Sequence, residues 1–394
     1  MRDYSGIALT APVSFGYAKQ SPHGAAWFIG STLREMLLQA GIDKAAVDGL
    51  AVSSFSLGLD SAITLTQNFQ LSPRWIDQLP YGGAAGLVAL RRAARAIQAG
   101  DADIIACIGG DGAAHRGFER TAAEFSSFTV DASFPYGGGG PNTAFGLITQ
   151  NYMERYGARR EDLGLIPVAQ RYNANHYPAA LLGHKSLSLE QYLASRPIAG
   201  PLHLFDCVMP CAGGEGFLMM SEQRARELGL PYCVIRAAGE LHNAHPEDEI
   251  QFRGGWTEYA DQLYSNAGLE PAAIDILQTY DDYPVISMLQ MEDLGFCAKG
   301  EAAQWLRDTD LRFDGSGPQS RKLAHNTSGG QLSVGQAGSA AGYMGIVETI
   351  RQLTDRAGRN QVPEARHAMV SGFGMINYDR GLCSAAAILG RAGQ

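Results

Sequence analysis

The chain has 394 residues, of which 45% are hydrophobic and 18% charged, and its formal net charge is −9. This composition is enough for a large packed core, and an acidic chain with scattered arginines does not favour nucleic-acid binding. The N-terminal "MRDYSGIALTAPVSFGYA" has neither the apolar core of a signal peptide nor the ~20 apolar residues of a membrane-spanning helix, so we expect a cytoplasmic protein without membrane contact.

Six cysteines are dispersed along the chain, most of them inside apolar runs: Cys107, Cys207, Cys211, Cys233, Cys297 and Cys383. This distribution is typical of reduced core thiols rather than of a disulfide framework. The one close pair, Cys207 and Cys211, has no second pair and no regularly spaced histidine with it, so a structural role is favoured over a zinc site. We therefore expect no metal site.

Strands and helices alternate in the first half of the sequence. Apolar patterns predict strands over "SGIALTAPV", "GLAVSSFSL" and "ADIIACIGGD", and helices over "GAAWFIGSTLREMLLQAG" and after Gly86. Between about 112 and 201 the pattern loosens, which predicts an inserted loop domain, and strand alternation resumes with "GEGFLMMS". Within this insertion, "FPYGGGGPNTAFG" fits a flexible loop and a lid over the substrate equally well. The alternation indicates an α/β protein.

The second half repeats this plan. Strands are predicted over "PYCVIRAAGEL", "IDILQTYDDY", "HAMVSGFGMINY" and "LCSAAAIL", with helices near "TEYADQLYSNAG", over "VISMLQMEDLGF" and over "SAAGYMGIVETIRQLTDR". We therefore divide the chain into two similar halves, residues 1–225 and 230–394, with the insertion at about 112–201 in the first.

The two halves also share a glycine turn that precedes a helix. "PYGGAAGLVALRRAARAIQAGDADIIACIGGD" and "GQAGSAAGYMGIVETIRQLTDRAGRNQVPEARHAMVSGFG" both contain a glycine turn, an amphipathic helix, an apolar strand and a glycine-rich end. Small residues let a helix N-terminus approach an anion such as an enolate. For either turn alone, close packing of helix on sheet explains the glycines equally well. Two such turns suggest one shared site.

Four segments together resemble the thiolase superfamily, and within it the thiolase-like proteins related to the sterol-carrier-protein type. "GGAAGLVALRRAARAIQAGDADIIACIGGD" resembles the family's nucleophile loop, helix and strand, and "FDCVMPCAGGEGFLMMSEQRARELG" resembles the end of its first half. "LQTYDDYPVISMLQMEDLGFCAKGEAAQW" resembles the H-D-x-F-T segment, and "HNTSGGQLSVGQAGSAAG" resembles N-x-x-G-G followed by G-H-P-x-G-A-x-G. The resemblance implies two βαβαβαββ halves stacked in five layers, αβαβα, with an inserted loop domain.

The departures from the family lie at its catalytic positions. Gly83 stands where the resemblance places the acylated cysteine, and Gln336 stands where it places the catalytic histidine. A neutral amide cannot be a general base near pH 7. The second cysteine corresponds to Ser371, and a serine without a nearby histidine is a poor nucleophile. A cysteine acyl-enzyme is therefore not expected.

Polar residues nevertheless remain around the expected cleft. Tyr280 stands where the family has histidine or asparagine, Asp281 follows it, and Tyr283 replaces the family's aromatic residue, while His325 lies beside Asn326 in "HNTSGG". On a strand, alternate side chains point to opposite faces, so these residues cannot all face one cleft. The alternative is that "TYDDY" is an edge strand or turn with solvated carboxylates.

The resemblance implies how these residues divide the chemistry. Tyr280 or His325 would take a β-hydroxyl proton, Asp281 would lie with them, and Gln336 with backbone N–H groups would hold the thioester oxygen as it becomes an enolate. Residues expected to bind the substrate are Gly83, Tyr283, Asn326, Ser371 and Gly374.

A branch of thiolase-like proteins without the cysteine is known as retro-aldolases for steroid side-chain acyl-CoA, and these use tyrosines and a small OB-fold and zinc-ribbon partner. This chain resembles them at Tyr280 and departs at Gln336, where they have a tyrosine. We expect carbon–carbon cleavage of an acyl-CoA thioester, with coenzyme A only as part of the substrate. Direct acyl transfer between two bound substrates, and a non-catalytic lipid-binding subunit that supports a partner, are the alternatives.

Two further expectations concern surfaces. Thiolase-like proteins pair through an edge strand, and the apolar strand "ADIIACIGG" needs cover at its edge, so we expect a homodimer. Arg91 and Arg92 are expected to form a solvated helix face rather than a clamp for the phosphates of coenzyme A.

Overall fold

A computed structural model describes residues 3–58, 60–112, 134–138, 140–378 and 380–393. Its strands are β1 Ile7–Ala18, β2 Gly49–Ser53, β3 Trp75–Gln78, β4 Ile104–Asp111, β5 Pro197–Ala199, β6 Leu202–His203, β7 Ala212–Ser221, β8 Cys233–His242, β9 Ile276–Gln278, β10 Thr309–Asp310, β11 Arg321–Lys322, β12 Ala324–His325, β13 His367–Asn377 and β14 Arg380–Arg391. Its helices are α1 Ala25–Ala40, α2 Ala62–Phe69, α3 Ala85–Ala99, α4 Pro141–Tyr156, α5 Arg160–Ala174, α6 Leu189–Leu193, α7 Glu222–Glu227, α8 Ala260–Ala267, α9 Pro284–Asp293, α10 Ala302–Asp308, α11 Gly330–Val334 and α12 Ala341–Leu353. In this part of the chain, no helix is both long and apolar enough to span a membrane.

The large sheet consists of two five-stranded halves with the same internal order. The first half runs β3-β2-β4-β7-β1 and the second runs β8-β14-β13-β9-β12. They meet where β1 pairs antiparallel with β8, at Ala8 opposite Val234 and Leu9 opposite Cys233. In each half, two long antiparallel strands lie next to this junction, and three strands that are parallel to one another lie beyond them. This repeat confirms the duplicated α/β plan.

Helices α3 and α12 form the layer between the two half-sheets. Each contacts strands of both halves, while α1 covers the outer face of the first half and α8 that of the second. The two inner helices come close because both have glycine at the crossing: a Cβ on Gly86 would lie 2.3 Å from the carbonyl oxygen of Gly342. The five-layer αβαβα arrangement is therefore confirmed, and it brings the N-termini of α3 and α12 together.

The segment "TYDDY" differs from the predicted strand. Strand β9 ends at Gln278, and residues 279–283 form a turn that leads into α9. Pro284 is the first residue of that helix, and it holds the preceding Tyr283 extended, at φ −142° and ψ 145°. The side-chain amides of Gln290 and Asn326 make the hydrogen bonds to the backbone of this turn that a neighbouring strand would otherwise make. The alternation of a strand therefore does not govern where Tyr280 and its neighbours point.

The inserted region is more helical than predicted. Its described residues include α4, α5 and α6, and α5 continues for 15 residues although it contains Pro167. Helix α5 packs against α9, α10 and α11 of the second half, and Phe145 of α4 stacks on Tyr283 with ring centroids 4.1 Å apart. Residues 113–133, the first part of the predicted insertion, lie outside the described residues. The helices α4 and α5 therefore form one wall beside the "TYDDY" turn.

The edge of the first half-sheet is also not where the sequence predicted it. The strand "ADIIACIGG" forms β4, which lies between β2 and β7 and is buried throughout. The outer edge is β3, whose burial alternates and which leaves Ile76 38% exposed. The earlier expectation was wrong because continuous apolar character marks a strand covered on both faces, and such a strand usually lies inside a sheet.

Candidate functional site

The glycine turn before α3 packs directly against the second half of the chain. Gly83 lies in a tight turn, Gly82–Ala84, and a Cβ on it would lie 2.1 Å from Cε2 of Tyr280 and 2.4 Å from the carbonyl oxygen of Phe373. A Cβ on Gly374 would lie 2.1 Å from the carbonyl oxygen of Tyr81. These two glycines are therefore required for close approach, and the Tyr280 ring occupies the space that a side chain at position 83 would need.

A small cavity lies behind this contact. It has a volume of about 20 Å³, enough for roughly one water molecule. Predicted site residues that line it are Gly83, Tyr280, Asp281, Asn326 and Ser371; Ser328 and Gln331, which the sequence analysis did not single out, line it as well. The structure thus brings five of the nine predicted residues to one space.

The Tyr280 hydroxyl is held by side-chain amides. The Gln336 amide donates to it at 3.4 Å, and a second hydrogen bond involves the side chain of Gln331. Burial is the main cause that raises the pKa of Tyr280 well above its usual value, and the negative charge of Asp282 adds to this, while the two amides act in the opposite direction. Burial therefore keeps the phenol protonated near neutral pH, and it is equipped to donate a hydrogen bond rather than to act as a base.

The backbone around Tyr280 is fixed by two buried amides. Gln290 accepts from the backbone N–H of Tyr280 at 3.1 Å and donates to its carbonyl oxygen at 2.7 Å. Asn326 does the same for Thr279, at 2.9 and 3.1 Å. The Ser371 hydroxyl donates to the Gln290 oxygen at 2.7 Å. Asn326 and Ser371 line the cavity, but their hydrogen bonds are made to the turn itself and to Gln290. Both residues therefore position the turn.

Asp281 ties this turn to the glycine-rich segment after β12. Its carboxylate accepts from the backbone N–H groups of Gln331 at 3.1 Å and Leu332 at 3.4 Å, and it contacts the Gln331 side-chain amide at 3.4 Å. Burial raises the pKa of Asp281 to about 6, and these hydrogen bonds limit the rise. Asp281 therefore anchors the segment that carries Gln331, and Gln331 in turn reaches Tyr280.

His325 does not reach the cavity, contrary to the expectation that it would surround the reacting atoms. It is fully buried on β12, and its Nε2 lies 2.8 Å from the hydroxyl of Thr279. Burial lowers the pKa of His325 to about 3. The reason for the correction is register: His325 pairs with Leu277 in the sheet, two residues before the turn begins at Thr279, and its ring stays in the core.

Three other predicted residues lie outside the cavity. Tyr283 turns its hydroxyl towards Asn142 of the inserted region, and Gly374 packs behind the Tyr81 backbone. Gln336 reaches the site through Tyr280, and its own backbone is fixed by hydrogen bonds with Met209 and Cys211, both 2.9 Å long. Sequence reasoning missed two buried amides. Gln331 directly follows Gly330 at the start of α11, whereas Gln290 lies in the last turns of α9, six residues after Pro284, and both side chains are buried.

The remaining candidates have structural partners. Arg91 pairs with Glu240 at 2.8 Å, and Arg92 with Asp77 at 3.2 Å, so neither is a free solvated residue. All six cysteines are free, and burial raises the pKa of each thiol, for example that of Cys207 to about 12. Within the described ranges no group of three metal-binding side chains occurs. The thiols are therefore protonated and poorly suited to nucleophilic attack.

Replacing Gly83 with cysteine tests the close contact. We expect Gly83→Cys to lower the free energy of unfolding by about 1–3 kcal/mol, because the new Cβ overlaps the Tyr280 ring and a backbone carbonyl group. Gly146→Cys is the control, since a Cβ there would lie at an ordinary 3.5 Å from Ala199. Urea denaturation measures both. A Gly83→Cys variant as stable as the parent and acylated by acyl-CoA in intact-mass spectrometry would contradict this packing.

The buried histidine predicts a pH dependence of stability. Because the pKa of His325 is about 3 in the folded chain and about 6.5 when unfolded, only the unfolded chain takes up its proton as pH falls below about 6.5. This group should therefore cost about 2 kcal/mol of stability between pH 7 and pH 5. Urea unfolding at both values should show this loss disappearing in His325→Gln and persisting in the exposed control His184→Gln. An unchanged pH dependence in His325→Gln would refute the shift.

Comparison with known proteins agrees with this geometry. The family model described as "Thiolase C-terminal domain-like" matches residues 239–391. A steroid side-chain-cleaving aldolase from Thermomonospora curvata is 29% identical over 350 residues, which is 85% of this chain and 86% of that protein. A 17-hydroxy-3-oxo-4-pregnene-20-carboxyl-CoA lyase from Mycobacterium tuberculosis is 29% identical over 377 residues, 90% of this chain and 93% of that protein.

A solved structure shows the same fold over the whole chain. The Ltp2-ChsH2(DUF35) aldolase superimposes with a TM-score of 0.82 at 26% identity, and the match covers 99% of this chain and 98% of that one. The duplicated half-sheets, the paired glycine turns and these similarities agree with one another. The C-terminal part of the chain matches the thiolase family model, and the chain as a whole is similar to steroid side-chain-cleaving aldolases, with Gly83 where the resemblance places the family's cysteine.

Proposed function

We propose that this protein cleaves a carbon–carbon bond of a β-hydroxyacyl-CoA thioester in a retro-aldol reaction, without an acyl-enzyme. The observation that carries the proposal is the contact between Gly83 and Tyr280. It replaces a nucleophile with a protonated phenol whose hydroxyl is held by the Gln336 amide at 3.4 Å. A hydrogen-bond donor that stays protonated suits a reaction that develops negative charge on the substrate and forms no bond to the protein.

The reaction needs one proton removed and one returned. Loss of the β-hydroxyl proton lets the bond between the α and β carbons break, which forms a carbonyl group at the β carbon and an enolate on the thioester side. The enolate then takes a proton at the α carbon, so no cofactor beyond the coenzyme A of the substrate is consumed. In this scheme Tyr280 and Gln336 stabilise the enolate oxygen by hydrogen bonds, and Asp281 and Gln290 position them.

The relatives suggest the class of substrate and a partner. One relative is named as a lyase of a 17-hydroxysteroid carboxyl-CoA and another as a steroid side-chain-cleaving aldolase, so a polycyclic β-hydroxyacyl-CoA is the first substrate to test. The structural neighbour contains a DUF35 partner. We propose that this chain likewise works with a small OB-fold and zinc-ribbon protein.

Cleavage of 17-hydroxy-3-oxo-4-pregnene-20-carboxyl-CoA tests the function directly. We expect release of a ketone and a shortened acyl-CoA by the chain together with a DUF35-type partner. Tyr280→Phe should lower the rate by about 100- to 1,000-fold, because a hydrogen-bond donor to the enolate oxygen is lost, and Gln336→Ala by about 100-fold. Chromatography of both products measures the rates.

The outcomes separate the alternatives. Cleavage that survives Tyr280→Phe within a few-fold would contradict the role of the phenol. If the parent chain with its partner binds the thioester but cleaves nothing, the non-catalytic alternative is favoured. Transfer of the acyl group to a second acceptor, without ketone release, would instead indicate an acyltransferase.

We also propose a homodimer that forms through β3. This strand is the free edge of the first half-sheet, and it exposes Ile76 at 38%. Such an edge is a natural place for a second copy to add a strand. Sedimentation at micromolar concentration should give the mass of two chains, and Ile76→Lys should shift it towards one. The control Leu38→Lys, on the outer side of α1, should not; a parent chain that sediments as one copy would refute the dimer.

A further inference from the structure

One buried carboxyl group beside Tyr280 has an oxygen that no hydrogen bond uses. Asp282 is 7% exposed, and its Oδ1 has no hydrogen-bond partner among the residues that the structure describes. The hydrogen bonds on its carboxylate come from its own backbone N–H and that of Tyr283. A buried carboxyl oxygen without a partner is costly, so such groups are uncommon unless a ligand completes them.

Asp282 differs from the other buried carboxylates of the chain in the groups that surround it. Asp111 is as deeply buried, but the hydroxyl and N–H groups of Ser54, Phe55, Ser56 and Ser339 donate to it. Asp281, the immediate neighbour of Asp282, is likewise surrounded by donors. Glu240, Glu292 and Asp293 also each have an oxygen without a hydrogen-bond partner, but each of these carboxylates forms an ion pair with Arg91 or Lys299. Asp282 forms no ion pair with the residues that the structure describes, so its charge is balanced by neither donors nor a cation.

The surroundings of Asp282 place it next to the site. Its negative charge raises the pKa values of Tyr280, Tyr283 and Cys207, so the carboxyl group lies near all three side chains. Cys207 and Asn142, which hydrogen bonds to Tyr283, are both partly exposed, so this side leads towards solvent. Asp282 belongs to the same turn as Tyr280, residues 279–283, but it is not among the residues that line the small cavity.

We propose that Asp282 is a catalytic residue that takes the β-hydroxyl proton of the substrate. This inference rests on the proposed function and completes it, because the phenol of Tyr280 is protonated and His325 is enclosed in the core, which leaves the reaction without a base. Burial and the charge of Asp281 raise the pKa of Asp282 well above its usual value, which makes its carboxylate a stronger base.

The proton balance of the step is closed. The carboxylate of Asp282 accepts the β-hydroxyl proton as the bond between the α and β carbons breaks. The electron pair of that bond passes to the thioester, which becomes an enolate. A proton from solvent adds to the α carbon of the enolate, and Asp282 releases its own proton to solvent, which restores the starting state. No oxidant, reductant or further reactant is required.

Two reactions of the same protein distinguish this role. Cleavage of 17-hydroxy-3-oxo-4-pregnene-20-carboxyl-CoA needs the β-hydroxyl base. Exchange of the α protons of propionyl-CoA with D2O needs proton transfer between the α carbon and solvent and the groups that hold the enolate oxygen, but it needs no β-hydroxyl base. With the DUF35-type partner present, we expect Asp282→Asn to lower cleavage by about 100- to 10,000-fold and exchange by less than about 5-fold. Asp282→Glu should recover part of the cleavage. Exposed Asp261→Asn is the control.

Stability provides a second readout. Because the charge of Asp282 is buried without a full set of partners, Asp282→Asn should keep or raise the melting temperature, whereas loss of a structural carboxylate would lower it. Cleavage within a few-fold of the parent in Asp282→Asn would overturn the proposal, and so would an equal loss of exchange and cleavage. If the parent chain itself neither cleaves nor exchanges, the proposed function fails, and the inference about Asp282 fails with it.

Discussion

The contact between Gly83 and the ring of Tyr280 is the constraint on which the site depends. A Cβ at position 83 would lie 2.1 Å from the ring, so glycine and the tyrosine are possible only together. The fold places the glycine turn before α3 directly against the turn after β9. In a thiolase-like protein with a cysteine at this position, the same space would hold the thiol. Here it holds an aromatic ring, and in the proposed reaction the hydroxyl group of that ring is the polar group offered to the substrate.

This exchange requires the turn that carries Tyr280 to be rigid, and buried amides provide that rigidity. Gln290 and Asn326 each make two hydrogen bonds to the backbone of the turn, in place of a neighbouring strand. Asp281 fixes the glycine-rich segment on the other side through two backbone N–H groups. Neutral amides and short backbone contacts fix the turn without placing a positive charge near the phenol of Tyr280. This matters because a nearby cation would lower the pKa of the phenol.

The sequence predicted the fold better than the site, and the reasons are physical. Strand and helix periodicity extends over many residues, so the duplicated halves and most of their strands could be found from apolar patterns alone. The "TYDDY" segment was predicted as a strand because its apolar residues continue those of β9, and periodicity cannot register that Gln290 and Asn326 take its backbone hydrogen bonds. His325 was misplaced for a related reason. Asn326 lines the cavity and bonds to the turn, but His325, one residue earlier in the chain, lies in the core.

Burial also changes what each residue type can contribute, and a sequence does not show burial at the level of single atoms. A histidine is the usual candidate for a base near neutral pH, yet enclosure lowers the pKa of His325 to about 3 and leaves it without an opening to the cavity. The same enclosure acts in the opposite direction on a carboxyl group: it raises the pKa and strengthens the conjugate base. In a site of this kind, an aspartate beside a protonated tyrosine is therefore the better proton acceptor, and the loss of the family's cysteine and histidine does not by itself imply the loss of acid–base chemistry.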